Sequence, residues 1–113
     1  PQDYKLELLQ KARCVVQPLK PPYIEIFGLS TIEGMACGTP VMATDLGAGP
    51  ERIIHGKTGA IAHDLNNLAE NLQVALQCSP EACRTRAEEF SREKMGQNYL
   101  KLYQELLAGG DEW

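Results

Sequence analysis

With 113 residues, the chain has room for one small domain and its core, and none for a second. Eleven Lys and Arg against fifteen Asp and Glu give a net charge of −4. Without a basic cluster, neither nucleic acid nor an anionic membrane surface is expected as a partner. The apolar runs break within a few residues, so no membrane span and no cleavable leader are expected, and the chain reads as soluble and cytoplasmic.

The chain opens on Pro1 and enters a helical pattern at once, the mark either of a fragment or of a chain whose initiator Met was removed ahead of Pro. In "DYKLELLQKA" Leu6 and Leu9 recur at helical spacing with Ala12 beyond them, and Asp3 is placed to cap the helix. "RCVVQPL" follows as a compact β-branched run, read as a buried strand that stops at Pro18, where an N–H is missing. A Pro-rich loop, "KPPYIE", then delivers Glu25.

From Gly28 to Cys37 the residues Leu29, Ile32 and Ala36 fall at i, i+3 and i+7, and Gly38 stands where a left-handed residue ends a helix. "PVMATD" is the next strand. In "LGAGPERIIHG", Gly49 and Pro50 start a short helix, with Pro50 at the first helical position and Glu51 near the positive dipole end. "KTGAIAH" reads as a turn and a short strand. The remainder is helical: Asp64 caps "LNNLAENLQVALQC", Ser79-Pro80 restarts the helix, Ser91 caps "REKMGQNYLKLYQELLA", and Gly109-Gly110 ends it. Helices alternating with short apolar strands predict an α/β fold around a narrow parallel sheet.

Three motifs carry little chemistry by themselves. "HGKTG" ends like a phosphate-binding loop, but the first glycine of that pattern falls on Glu51, and the turn leads into a strand rather than a helix. "LGAG" lacks the third glycine of a dinucleotide fingerprint. It does place Asp45 to Gly49 in a loop at the carboxyl end of a parallel strand, where ligands bind in open α/β sheets, and Gly47 and Gly49 serve either close ligand approach or a tight turn. Cys14, Cys37, Cys78 and Cys83 lack C-x-x-C spacing and form no ligand pattern with His55 and His63, so they read as buried reduced thiols and no metal site is expected.

The informative stretch is "IEIFGLSTIEGMACGTP". A helix starting at Gly28 or Leu29 presents free N–H groups from Gly28, Leu29 and Ser30, and with the helix dipole these form an anion site. Glu25 precedes those amides, and Glu33 lies roughly 6–7 Å along the helix from its start. The two carboxylates flank a phosphate-sized space and reach different parts of a longer ligand, and carboxylates accept paired hydrogen bonds from vicinal hydroxyls. By spacing alone, the favoured account is Glu25 as a cap and Glu33 as an ordinary exposed helix residue.

The stretch "EIFGLSTIEGMACGTPVMATDLGAGPERIIHGKTG" resembles the donor-binding segment of the retaining, nucleotide-sugar-dependent glycosyltransferases of the GT-B fold, family 4, whose pattern runs E-x-F-G-x-x-x-x-E-A-M-A-x-G-x-P-V. The likeness covers nearly the whole chain. It implies a partial Rossmann-like domain: the C-terminal half of a GT-B C-terminal domain, lacking the N-terminal acceptor domain and the first strands. It further implies that Glu25 contacts hydroxyls of the transferred sugar, that Glu33 chelates the nucleotide ribose, and that Phe27, Gly28, Leu29 and Ser30 meet the sugar or diphosphate. No metal and no cofactor are implied, the nucleotide diphosphate sugar being the substrate.

Two departures are visible, Gly34 where the pattern has Ala and Ile26 where Pro is common. The basic residues that neutralise the leaving diphosphate are expected upstream of this sequence, and Arg52 and Lys57 are the nearby cations downstream. The implied function is the donor-binding part of a glycosyltransferase, inactive as an isolated chain. Two alternatives stay open: a non-catalytic nucleotide-sugar-binding or interaction module, forming a homo-oligomer through surface bared by the missing half, and a sugar-nucleotide epimerase of the same fold. Base, sugar and acceptor are not legible.

Overall fold

A computed structural model describes residues 1–109. Six helices and three strands follow in the order α1 (Gln2–Lys11), β1 (Val15–Gln17), α2 (Leu29–Ala36), β2 (Val41–Thr44), α3 (Gly49–Arg52), β3 (Gly59–Ala62), α4 (Leu68–Leu76), α5 (Pro80–Glu88) and α6 (Arg92–Leu107), with a 3₁₀ turn over Leu65–Asn67 leading into α4.

The strands form one parallel sheet in the order β1-β2-β3, with Val15 beside Val41 and Val41 beside Gly59 in register. Strand β2 is central and buried along its length, and its side chains alternate between two cores. On one face Val41 and Ala43 join Met35 of α2, Ile53, Ile61, and Cys83 and Ala87 of α5; Val15 and Ile32 pack against this cluster. On the other face Met42 joins Ala60, Ala62 and Ala75 of α4, with Leu68 and Leu72 at the margin. Helices on both faces of a parallel sheet are the three-layer α/β arrangement expected from the alternation of elements.

The local signals behave largely as their chemistry dictates. Ser79 and Ser91 cap α5 and α6, and Asp64 accepts from the Asn66 N–H at 2.8 Å to start the 3₁₀ turn. Gly38 takes φ +79° and closes α2. "HGKTG" is a turn: the Ile54 carbonyl accepts from the Lys57 and Thr58 N–H groups, and the chain passes into β3. Gly110, part of the expected stop after α6, lies outside the described residues, whereas Gly109 is left-handed at φ +100°.

Five expectations need correction. Of the four cysteines only Cys78 and Cys83 are buried, while Cys14, beside the edge strand, and Cys37, at the end of α2, are half-buried. Asp3 lies within the first turn of α1, and Pro1 occupies the cap position without a side-chain hydrogen bond. Pro50 is the second residue of α3 rather than the first. Strand β1 is an edge strand with Val16 exposed, because no described strand pairs on its outer side. In α2 the buried face is Thr31, Gly34 and Met35, not the Leu29 and Ala36 stripe. The reason is Gly34: a Cβ there would stand 3.0 Å from a Val15 methyl and 3.3 Å from a Val41 methyl, so the helix lies on the sheet along its glycine.

Candidate functional site

The loops that leave the carboxyl ends of the strands gather at one edge of the sheet, as in open α/β folds generally. After β1 runs the loop 18–28, which contains a cis bond between Pro21 and Pro22. After β2 comes Asp45 to Ala48, and after β3 His63 and Asp64. A cleft of about 310 Å³ opens among Lys20, Thr44, Asp45, His63 and Asp64. There His63 Nδ1 meets Asp45 Oδ2 at 2.6 Å, and among the described residues the buried Thr44 hydroxyl has no hydrogen-bond partner.

Beside this cleft the chain turns from the 18–28 loop into α2. Gly28 holds φ +81° and ψ +48° at the N-cap, a left-handed conformation that favours glycine. Among the described residues no side chain caps α2, and the first intrahelical bond runs from the Ile32 N–H to the Gly28 carbonyl at 3.2 Å. The N–H groups of Gly28, Leu29, Ser30 and Thr31 therefore have no intrahelical partner, and they form the positive end of the helix dipole.

Glu25 is half-buried, and among the described residues its carboxylate makes only a long contact, 3.4 Å, with the Phe27 N–H. Its backbone is held more firmly, for the carbonyl accepts from the Ala48 N–H at 2.7 Å. Gly47 lies against the same carbonyl, which settles why the post-β2 loop carries a glycine there: the close approach is to Glu25 itself. Phe27 and Leu29 are exposed, and Ser30 is half-buried with its hydroxyl bonded to Gln17 Nε2. Glu33 sits one turn on and faces α1, where its carboxylate pairs with Lys5 Nζ at 2.7 Å. Glu25, Phe27, Gly28, Leu29 and Ser30 thus converge on one turn, and Glu33 stands apart from them along the helix.

Four residues shape this turn, and of these Gln17 and Lys5 escaped the sequence reading, while Gly47 and Arg52 were singled out there without these contacts. Gln17, the last residue of β1, bonds both Ser30 and Thr31, the latter at 2.5 Å, and ties the start of α2 to the end of the strand. Gly47 seats the post-β2 loop, and Lys5 reaches Glu33 from α1. Arg52 donates from Nε to the Phe27 carbonyl at 3.1 Å. A polar residue just before Pro18 at a strand end was a signal for Gln17; nothing local marks Lys5. Lys57, the other downstream cation, precedes β3 and so lies toward the opposite, amino-terminal edge of the sheet.

A parallel α/β sheet with an uncapped helix start and flanking glutamates at its carboxyl edge invites comparison with known proteins. The family model described as Glycosyl transferases group 1 matches residues 2–78. The chain belongs to this family. It is 34% identical over 93 residues to the D-inositol 3-phosphate glycosyltransferase of Mycobacterium sp. (strain KMS), covering 80% of this chain and 21% of that protein. A sucrose synthase of Solanum tuberosum is 46% identical over 41 residues, 36% of this chain and 5% of that one.

The solved structure of sucrose-phosphate synthase from Thermosynechococcus elongatus superposes with a TM-score of 0.69 at 31% identity, over 96% of this chain and 29% of that one. The group 1 glycosyltransferase fold is thus present as a GT-B, Rossmann-like portion, and the chain spans about a fifth of the length of the curated glycosyltransferase just described. Among the described residues no helix is long and apolar enough to cross a membrane.

Proposed function

We propose that the chain is the C-terminal part of the donor-binding domain of a retaining glycosyltransferase, and that the turn from Glu25 to Glu33 receives a nucleotide diphosphate sugar. The observation that carries this reading is the left-handed Gly28 turn, which opens the α2 N-terminus between two carboxylates in a chain of this family. An anion as large as a phosphate suits the free amides. Glu25, before them, meets hydroxyls of the sugar to be transferred, while Glu33, a turn beyond, accepts from the ribose hydroxyls in place of Lys5.

Phe27, Gly28, Leu29 and Ser30 line the space between. Catalysis in the whole enzyme comes from orientation and from stabilising charge on the departing diphosphate, with the α2 amides supplying part of it and cations from outside this sequence the rest. The reading calls for no metal and no cofactor. It places acceptor choice in the N-terminal domain, so the isolated chain transfers no sugar.

The experiment is an amide-shift titration of the isotopically labelled chain with UDP, GDP and ADP sugars. Shifts centred on Phe27 to Glu33 with one nucleotide support the reading and name the base; a folded chain whose amides there stay still with all three overturns it. Conversion of the donor sugar without acceptor would point instead to the epimerase.

A second reading, an interaction module, draws on a separate observation. Tyr4, Leu6 and Leu8 of α1 and Tyr99, Leu100, Tyr103 and Leu107 of α6 are exposed, more large apolar side chains than two helices ordinarily leave in water.

A further inference from the structure

We infer that Arg52 is a positioning residue for the Glu25–Gly28 turn, working through its planar guanidinium rather than as a cation for the diphosphate; the inference rests on the donor-site reading above. Arg52 closes the short helix α3, just after the glycine loop that seats Glu25. Its side chain is only 13% exposed, so it is not free to reach into the cleft. Nε donates to the Phe27 carbonyl at 3.1 Å, fixing the peptide that leads into left-handed Gly28. The guanidinium carbon lies 4.8 Å from the centroid of the Phe27 ring and 4.8 Å from that of Phe90, so the cation contacts both faces that border it.

Phe90 belongs to the junction of α5 and α6, and Arg86 of α5 completes the assembly. Its guanidinium carbon lies 4.9 Å from the Phe90 centroid, and it donates to the Arg52 carbonyl at 3.0 Å and to the Glu51 carbonyl at 2.6 Å. These are the carbonyls at the end of α3, which otherwise lack intrahelical partners. The turn that faces the donor is therefore held from behind by a layered stack, Phe27, Arg52, Phe90 and Arg86, that runs back to the start of α6.

A charge placed to neutralise a diphosphate tolerates Lys for Arg, because either supplies the same unit charge. A fork that donates to a carbonyl while packed between two rings does not, since an ammonium is compact, strongly hydrated and lacks the planar donor array. Arg52→Lys and Arg52→Ala should therefore act alike on the turn and on nucleotide binding.

The test takes the labelled chain with Arg52→Lys, Arg52→Ala and Phe90→Leu, first without ligand and then titrated with UDP, GDP and ADP. Without ligand, the Phe27 carbonyl and Gly28 amide signals are expected to move in all three variants. The Arg52 Hε proton should exchange slowly with water in the wild type and rapidly in Phe90→Leu. Signals of Val41 to Thr44 in β2 should stay in place in every variant, which separates loss of the clamp from loss of the fold. With the nucleotide that binds the wild type, both Arg52 variants are expected to bind roughly tenfold more weakly. Wild-type turn signals in Arg52→Lys and Arg52→Ala would overturn the inference, as would full affinity in Arg52→Lys alone. If Arg52→Ala does not fold, Arg52→Lys and Phe90→Leu decide it. A wild type that binds no nucleotide sinks the donor reading, while the ligand-free spectra still decide the clamp.

Discussion

Gly47 rests on the carbonyl of Glu25 so closely that a Cβ on Gly47 would stand 2.0 Å from that oxygen. With φ at +66°, the glycine is required both by its own backbone and by its neighbour's. Gly47→Ala should cost at least about 2 kcal/mol in urea denaturation, left-handed strain adding to a backbone clash. Gly56 provides the control: it has φ +76° but nothing within 4 Å of an added Cβ, so Gly56→Ala should cost only about 1 kcal/mol. Equal costs would show that the contact with Glu25 contributes nothing.

Removal of Gln17 strands a buried hydroxyl. Thr31 is 1% exposed and gives its proton to Gln17 Oε1, so Gln17→Ala leaves that group without its partner. The expected loss is about 1–3 kcal/mol, the cost of an unsatisfied buried polar group. Amide shifts concentrated at Ser30 and Thr31 should accompany it. Thr31→Val in the same background should recover part of the loss, since it removes the stranded hydroxyl.

The two glutamates should separate by ligand. Glu33→Ala is expected to weaken binding of a bare nucleoside diphosphate by roughly tenfold or more, the scale of lost hydrogen bonds to a charged acceptor. Glu25→Ala should leave the nucleoside diphosphate nearly unaffected and act on the additional affinity that the sugar brings. Isothermal titration of each variant with nucleotide and with nucleotide sugar distinguishes them, and equal effects on the nucleotide alone would discard these roles. Loss of the half-exposed Lys5–Glu33 pair should itself change stability by no more than about 1 kcal/mol.

Cys83 gives the fold an alkaline signature. Burial first, and the neighbouring Cys78 second, push its thiol from 9.0 up to about 11. Between those two values the unfolded chain has released this proton and the folded chain still holds it. The contribution is thus intact below pH 9 and is lost as pH rises to about 11. Cys83→Ala leaves a small cavity but has no such loss, so its stability deficit relative to the wild type should narrow between about pH 8 and about pH 10.5 in urea melts. A deficit that stays constant across the window would contradict it.

Gly34 departs from the family pattern, and its surroundings explain how. Alanine would gain about 1 kcal/mol of helix propensity, yet its methyl would press on Val15 at 3.0 Å and Val41 at 3.3 Å. Overpacking of this kind costs about 1–3 kcal/mol, so Gly34→Ala is expected to be destabilising by about 1 kcal/mol net. A stabilising Gly34→Ala, read from the melting temperature, would mean that the valines move aside freely.

The elements were legible where one short-range signal decides them. Ser79, Ser91 and Asp64 announce helix starts because an oxygen next to free N–H groups acts within three residues. The three strands stand out as apolar runs between Pro, Gly and helix signals. Burial was less legible. Leu6 and Leu29 lie on apolar stripes, yet the structure leaves them exposed, because periodicity shows that a face is apolar and not that anything covers it. The Glu25–Ser30 turn could be located from the free amides a helix start implies, but its supports come from residues distant in the chain. Lys5 to Glu33, Gln17 to Thr31 and Arg52 to Phe27 are tertiary pairings, and no local spacing encodes them.

Helix α1 buries none of its residues, and its ties to the rest are few: the Thr39 hydroxyl donating to the Leu9 carbonyl at 2.5 Å, and Lys5 on Glu33. A helix of 10 residues is marginal in water without packing. Its amides should therefore exchange with solvent at a small opening free energy, while those of β2, enclosed on both faces, exchange only when the whole domain opens. Since Lys5 rides on that helix, each local opening of α1 uncovers the Glu33 carboxylate. Side-chain rotation breaks this half-exposed pair more often than the helix opens, and hydrogen exchange along α1 measures the part of the carboxylate's exposure that comes from opening of the helix.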